Sequence, residues 1–161
     1  MSFSTDGYAL AAGEGRGLWF LNTLMTVKAG TDQTRGGFTL IEQLCPPGFA
    51  TPPHIHRAEE EGFYLLEGEL TVTCGDRTWF LAPGGFVLLP RGIAHGFAVS
   101  AGGPARLLQI TTPAQFERFA AEVGEPARQP TLPPPSQPDI AKLMALMAKY
   151  NYELAGPPPG H

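Results

Sequence analysis

The sequence predicts an all-β fold, a barrel or sandwich carrying C-terminal helices. Two observations lead there. Short apolar or alternating runs at 18–27, 38–44, 63–66, 70–74, 78–81, 86–89, 94–99 and 106–111 are separated by Gly, Pro and Asp, the pattern of many short strands joined by tight turns. Apolar residues at helical spacing set in only after the last of these runs. At 161 residues and 17.2 kDa the chain is long enough for one sizeable core and too short for two full barrels.

Residues 1–17, rich in Gly, Ser and Ala, read as an N-terminal arm, and 18–124 as the β domain with the first C-terminal helix. Gly75-Asp76 suits a two-residue hairpin turn, because Gly tolerates the positive φ that such turns require. Pro90 and Gly92 build a tight turn between the run 86–89 and His95. Thr112 is expected to cap a helix with Pro113 at its first position, and Phe116, Phe119, Ala120 and Val123 continue it to Gly124. Residues 125–137 are proline-rich and poor in apolar side chains, which predicts an extended linker. A second helix is expected over 138–155. Its stripe of Ile140, Leu143, Met144 and Met147 packs on its own or a neighbouring subunit, with a methionine-rich substrate lid as the alternative. Residues 156–161 form a tail.

Charge excludes several partner classes. The formal net charge is -4 with no Lys/Arg cluster, so there is no electrostatic footprint for nucleic acid or an anionic membrane. The first residues lack a basic start followed by an apolar core, and no apolar run approaches bilayer length, which predicts a cytoplasmic protein. Cys45 and Cys74 have no metal-type spacing and are expected to be free thiols, Cys45 as a small buried hydrophobe.

The histidines carry the chemistry. Three of the four, His54, His56 and His95, fall in two Gly/Pro-punctuated blocks together with Glu61. Side chains alternate along a strand, so His54 and His56 project to one face and Ile55 to the other. Glu61 lies beyond a polar turn and opens the next strand, with Phe63 and Leu65 continuing its inward face. Three imidazoles and a carboxylate form a mixed shell for one divalent transition metal: iron, nickel, manganese, cobalt, copper or zinc. Such an ion keeps residual positive charge, and an octahedral one keeps two positions for water, dioxygen or a chelating substrate. Glu59 and Glu60 are expected to be solvated in the turn, Glu60 replacing Glu61 if a shorter spacing applies. Arg57 and Arg91 either steer an anionic substrate or sit solvated in turns.

These blocks resemble the two signature motifs of the cupin superfamily. The first, Gly, five residues, His-x-His, three or four residues, Glu, six residues, Gly, is matched by Gly48, His54, His56, Glu61 and Gly68. The second, Gly, five residues, Pro-x-Gly, two residues, His, three residues, Asn, is matched by Gly84, Pro90, Gly92 and His95, with Val99 in place of the Asn. The resemblance implies a cupin jelly-roll β-barrel or sandwich with His54, His56, Glu61 and His95 as metal ligands. The segments 17–43 and 112–119 and the proline-rich tail are similar to the branch of small cupins like flavonol (quercetin) 2,3-dioxygenases. That likeness implies a dioxygenase in which Glu61 accepts the substrate hydroxyl proton, and small cupins are often homodimers.

The leading expectation is a metal-dependent dioxygenase acting on a planar aromatic or enolisable hydroxy-carbonyl small molecule. A redox-neutral metal-dependent cyclase or isomerase and a non-catalytic small-molecule binder are the alternatives. For the substrate pocket, Phe63 and Phe97 share the inward parity of Glu61 and His95, while Trp79 and Phe86 read as core and Tyr64 faces away. Trp19, Leu21, Met25 and Gln43 are placed near the barrel mouth, with Gln43 and Met25 as pocket residues.

Overall fold

Alternating burial along the strands builds two antiparallel sheets that face each other. The computed structural model describes residues 6–156. In chain order its elements are β1 (Arg16–Phe20), β2 (Thr23–Ala29), α1 (Thr31–Thr34), β3 (Thr39–Cys45), β4 (His54–His56), β5 (Glu60–Glu67), β6 (Leu70–Cys74) and β7 (Arg77–Leu81). They continue with β8 (Phe86–Leu89), β9 (His95–Val99), β10 (Ala105–Thr112), α2 (Phe116–Val123), β11 (Glu125–Pro126), α3 (Ile140–Lys149) and β12 (Tyr152–Leu154). The larger sheet runs β11-β1-β2-β3-β10-β5-β8 and the smaller β12-β4-β9-β6-β7. The result is a jelly-roll sandwich rather than a closed barrel.

Inward faces follow the period of two. β3 buries Thr39, Ile41, Gln43 and Cys45, and β10 buries Ala105, Leu107, Gln109 and Thr111. Between the sheets Cys45, Ala105 and Leu107 of these rows meet Leu65, Val72, Leu89 and Val99 in one apolar core. A second core forms where α2 and α3 cover β1 and β2, with Leu18, Phe20, Met25, Phe116, Phe119 and Met147 buried together. Glu117 fastens α2 to the sheet edge: its carboxylate accepts from the Thr31 backbone N–H at 2.5 Å and the Thr39 hydroxyl at 2.7 Å. Burial opposes ionisation of Glu117, but these bonds outweigh it and hold the carboxyl below its usual range.

Several elements differ from the sequence reading. The run 18–27 is two strands, joined by a hairpin in which Leu21 and Asn22 both take positive φ, 47° and 66°. Asn tolerates that conformation and Leu gives no warning of it. The first helix starts at Phe116 with Gln115 at its N-cap, three residues past the expected Thr112–Pro113 start, because β10 continues to Thr112. The segment 125–137 is not a free linker: Glu125–Pro126 pairs with β1, and Asn22 exchanges hydrogen bonds with the Ser136 backbone at 2.9 and 3.0 Å. The second helix spans only Ile140–Lys149, capped by Asp139. The remainder of 138–155 turns at Asn151, with φ 62°, into β12. Of the methionine stripe, Met147 is buried while Ile140 and Met144 are half exposed. The arm enters β1 at Arg16, and its residues 1–5, like 157–161 of the tail, lie outside the described residues.

Two motif glycines have different reasons to be glycine. At Gly68, φ is +87° and a Cβ would meet the Pro104 carbonyl oxygen at 2.4 Å and Ala105 Cα at 2.8 Å. At Gly84, φ is +88° and a Cβ would meet nothing within 4 Å. Gly68→Ala is therefore expected to cost about 3 kcal/mol, conformational strain plus backbone clash. Gly84→Ala should cost about 1 kcal/mol, for strain alone. Urea unfolding at constant m-value reads both, and equal losses would refute the close-approach argument.

Candidate metal centre

The four sequence-marked donors come together from both sheets. His54 and His95 are direct cross-strand partners in β4 and β9, and His56 leaves β4 on the same side as His54. Glu61 reaches in from β5 of the opposite sheet. One ligand atom from each lies within 4.8 Å of all the others. Glu61 Oε2 is 2.8 Å from His95 Nε2 and 3.6 Å from His56 Nε2. Donors about 2.1 Å from one ion and at right angles to each other stand about 3 Å apart, so the spacing fits a shared ion.

The rings are aimed from outside. Nδ1 of His54 faces the Pro52 carbonyl at 2.9 Å, Nδ1 of His95 faces the Ile93 carbonyl at 3.1 Å, and Nδ1 of His56 faces Glu59 Oε1 at 2.8 Å. An Nδ1 proton donated to each acceptor leaves every Nε2 lone pair for the common centre, the arrangement that orients metal-binding histidines. Glu61 is aimed in the same way. Gln109 donates to its Oε1 at 2.5 Å, which leaves Oε2 to the rings.

Electrostatics favour the ligating forms of His54 and Glu61 and act the other way on His56. Burial, then the facing His95, push His54 down to about 4. For Glu61 burial opposes ionisation, but His56 and the other two rings win and take the carboxyl to about 2. For His56 burial favours the neutral ring, yet Glu61 and Glu59 outweigh it and raise its pKa.

Glu59 is the first residue that the sequence reading misplaced. Expected to be solvated, it is 0% exposed and its Oε1 also accepts the Tyr152 hydroxyl at 2.6 Å. Its position three residues after His56 was the available signal. Tyr152 comes from β12, opposite His56 in register, and its ring lies 4.6 Å from the His56 ring. Burial, then the Glu59 carboxylate, push the Tyr152 hydroxyl pKa up, so it remains a donor. Nothing near Tyr152 in the sequence signals this. Gln109 was missed too, although inward parity between Leu107 and Thr111 marked it.

A cavity of about 110 Å³ opens over the centre, with Phe63, Phe97, Gln43, Phe49, Phe116 and Tyr152 among its walls. Met25 is not one of them. It is 1% exposed and shares the inward face of its cross-strand partner Gln43, but it is packed into the helix-covered core and does not reach the void. Gln43 donates to Thr23 Oγ1 at 3.1 Å. Leu21 also lines the cavity, whereas Trp79 packs on the inter-sheet core, and Phe86 and Tyr64 are exposed. Arg57 pairs with Glu153 at 2.8 Å and Arg91 with Glu60 at 2.5 Å, which occupies the turn residues considered for steering or for an alternative ligand. Cys45 and Cys74 are buried free thiols, and burial pushes both pKa values up.

Residues 41–111 match the family model described as Cupin domain. Quercetin 2,3-dioxygenase of Bacillus subtilis (strain 168) is 29% identical over 119 residues, covering 74% of this chain and 35% of that protein. The chain thus spans about a third of that relative's length. Among solved structures, the polyketide cyclase RemF from Streptomyces resistomycificus is 31% identical with TM-score 0.51, over 61% of this chain and 68% of that one. An RmlC-like cupin from Shewanella frigidimarina NCIMB 400 shares the fold at TM-score 0.58 and 17% identity, over 70% of this chain and 96% of that one.

His54→Ala is expected to abolish metal retention, measured by elemental analysis after gel filtration; full occupancy would refute the ligand set. Glu59→Ala should retain the site but weaken metal affinity by about 10- to 100-fold in chelator competition. Because the His56 pKa is raised above 6.5, protons compete there first as pH falls, while His54 competes only near 4. Wild-type affinity should thus begin to fall above pH 6.5, with Glu59→Gln moving that onset downward.

Proposed function

We propose, from the premise that this chain is a cupin, that it is a metal-dependent dioxygenase acting on a planar aromatic or enolisable hydroxy-carbonyl compound. The observation that carries the reading is an outward-opening set of three imidazoles and one carboxylate beneath a void walled by Phe49, Phe63, Phe97 and Phe116. The outer bonds on all three Nδ1 atoms, which leave the Nε2 lone pairs free, support a fit to a divalent transition metal. Such an ion, when bound, supplies Lewis acidity to a substrate oxygen and, if redox-active, a site for dioxygen.

The chain's own groups do the rest. The aromatic walls seat a flat ring edge-on to the donors and exclude water. Glu61 is the only carboxylate among the described residues lining the cavity. It stays ionised at every working pH, so it is available to take the proton of a substrate hydroxyl. Gln109 fixes its Oε1, so Oε2 faces the incoming group. Gln43, held by Thr23, presents a neutral polar contact from the same sheet as Glu61.

A second reading rests on the likeness to the RemF polyketide cyclase. In that reading an ion held by His54, His56, Glu61 and His95 would supply Lewis acidity to a carbonyl, and Glu61 would move a proton without net oxidation. Both readings place the protein in the cytoplasm, where Cys45 and Cys74 stay reduced.

The outward face of the larger sheet presents Tyr64, Phe86, Leu88 and Ile110, each 40–58% exposed and contiguous across β5, β8 and β10. This supports a homodimer through that face.

Protein reconstituted separately with iron, nickel or manganese is expected to consume dioxygen when a flavonol or cyclic diketone is added. Glu61→Gln should slow this by about 10²- to 10⁴-fold. Turnover with zinc under nitrogen would instead establish the cyclase reading, and binding with neither activity would sink both. Light scattering should give twice the 17.2 kDa chain mass, and Phe86→Lys should halve it. A wild-type monomer at high concentration would overturn the dimer.

A further inference from the structure

A second space adjoins the void over the metal donors. A cleft of about 870 Å³ lies between the β1–β2 hairpin and the segment leading into α3. It shares Leu21, Phe49, Thr51, Pro52 and Leu143 with the metal cavity, so the two spaces have a common wall. The inner space is small. A water needs about 10–15 Å³ measured this way, so 110 Å³ takes roughly seven to eleven heavy atoms, one oxygenated ring with its substituents.

The outer cleft is a built feature. Its roof is 133–139, with Pro133, Pro134, Pro135 and Pro138. That strap is pegged along its length: Ala127 N–H donates to the Gly17 carbonyl at 3.0 Å, Trp19 Nε1 to the Thr131 carbonyl at 2.8 Å, and Asn22 bonds both ways with the Ser136 backbone. Prolines have no backbone N–H, so the roof offers ring faces and carbonyls and few donors. Trp19, Phe49 and Leu143 present apolar surface from the other sides. Charges of both signs, Glu125, Arg128, Asp139 and Lys142, stand among the lining, which gives the cleft no bias toward a cation or an anion.

Resting on the metal-chelation reading above, we propose that the substrate is bipartite. Its oxygen-bearing ring enters the metal cavity, and an uncharged, extended aromatic or polyene remainder lies under the proline strap. The strap cleft then sets substrate length, while the metal donors read only the chelating head.

The test uses zinc-loaded protein, which binds without oxidative turnover, and two probes with similar hydroxy-ketone heads. Maltol is the head alone and the parent flavonol adds a fused ring and an aryl group. By calorimetry flavonol should bind at least about tenfold tighter, the gain expected for burying a further aromatic ring. Pro134→Arg, which puts a charge on the roof of the outer cleft and touches no wall of the metal cavity, should remove that advantage and leave maltol affinity unchanged. If Pro134→Arg does not fold, Trp19→Ala, also confined to the outer cleft, makes the same comparison. Equal affinities for the two probes, or flavonol binding indifferent to both substitutions, would overturn the strap subsite while leaving metal chelation intact. Failure of both probes to bind would overturn the chelation reading, and this proposal with it.

Discussion

The centre exists because three Nδ1 protons have somewhere to go. For His54 and His95 the acceptor is local, the carbonyl two residues earlier, so the chain's entry into β4 and β9 is enough to set the ring. His56 ends β4 and instead uses a side chain, Glu59, from the following turn. A lone carboxylate in a dry interior would swing or stay unmet. Tyr152 prevents that by donating to the same oxygen, and Tyr152 is in place only because α3 delivers β12 to the free edge of β4. The metal site thus extends to the last strand of the chain.

Charge imposes the second constraint. Glu59 and Glu61 flank one imidazole, and both are almost fully buried. Burying an ionised carboxylate costs several kcal/mol unless partners compensate it. Glu61 has three rings and the Gln109 amide. Glu59 has His56 and Tyr152 on one oxygen, while its Oε2 has no hydrogen-bond partner among the described residues. A divalent ion bound by the rings and Glu61 would add positive charge beside that carboxylate. The second carboxylate strengthens the donor power of His56 without occupying a coordination position.

Legibility in the sequence follows from locality. The fold class and His54, His56, Glu61 and His95 were readable because strand parity and turn residues act over a few positions. Phe63 and Phe97 reach the cavity for the same reason, since each shares the parity of a neighbouring donor. Met25 has the inward parity of Gln43, but nothing local says that neighbouring side chains of the helix-covered core cover it and keep it from the void. Gln109 and Tyr152 depend on pairings across 48 and 93 positions, and Glu59, local to His56, is buried with a second partner only because Tyr152 arrives from 93 positions away. For Tyr152 in particular, the apolar stripe of α3 ran on in the reading as one helix to residue 155. The turn at Asn151 becomes visible only when the edge of β4 is there to be paired.

The division of donors between sheets has a consequence for how the site forms. The smaller sheet contributes three rings and Tyr152, the larger contributes Glu61, Gln109 and Gln43. In an unfolded chain only His54 and His56 are close enough to act together, so most of the affinity arises from folding and ion binding becomes folding free energy. The tie is placed where the apolar core stops: the inter-sheet cluster fills one region, the helix-covered cluster another, and the cavity with its polar donors lies between them. A gap of that kind weakens packing, because its walls lose contacts on one side. An ion held by His54, His56 and His95 from one sheet and Glu61 from the other would tie the two sheets across that gap and offset the contacts its walls lack.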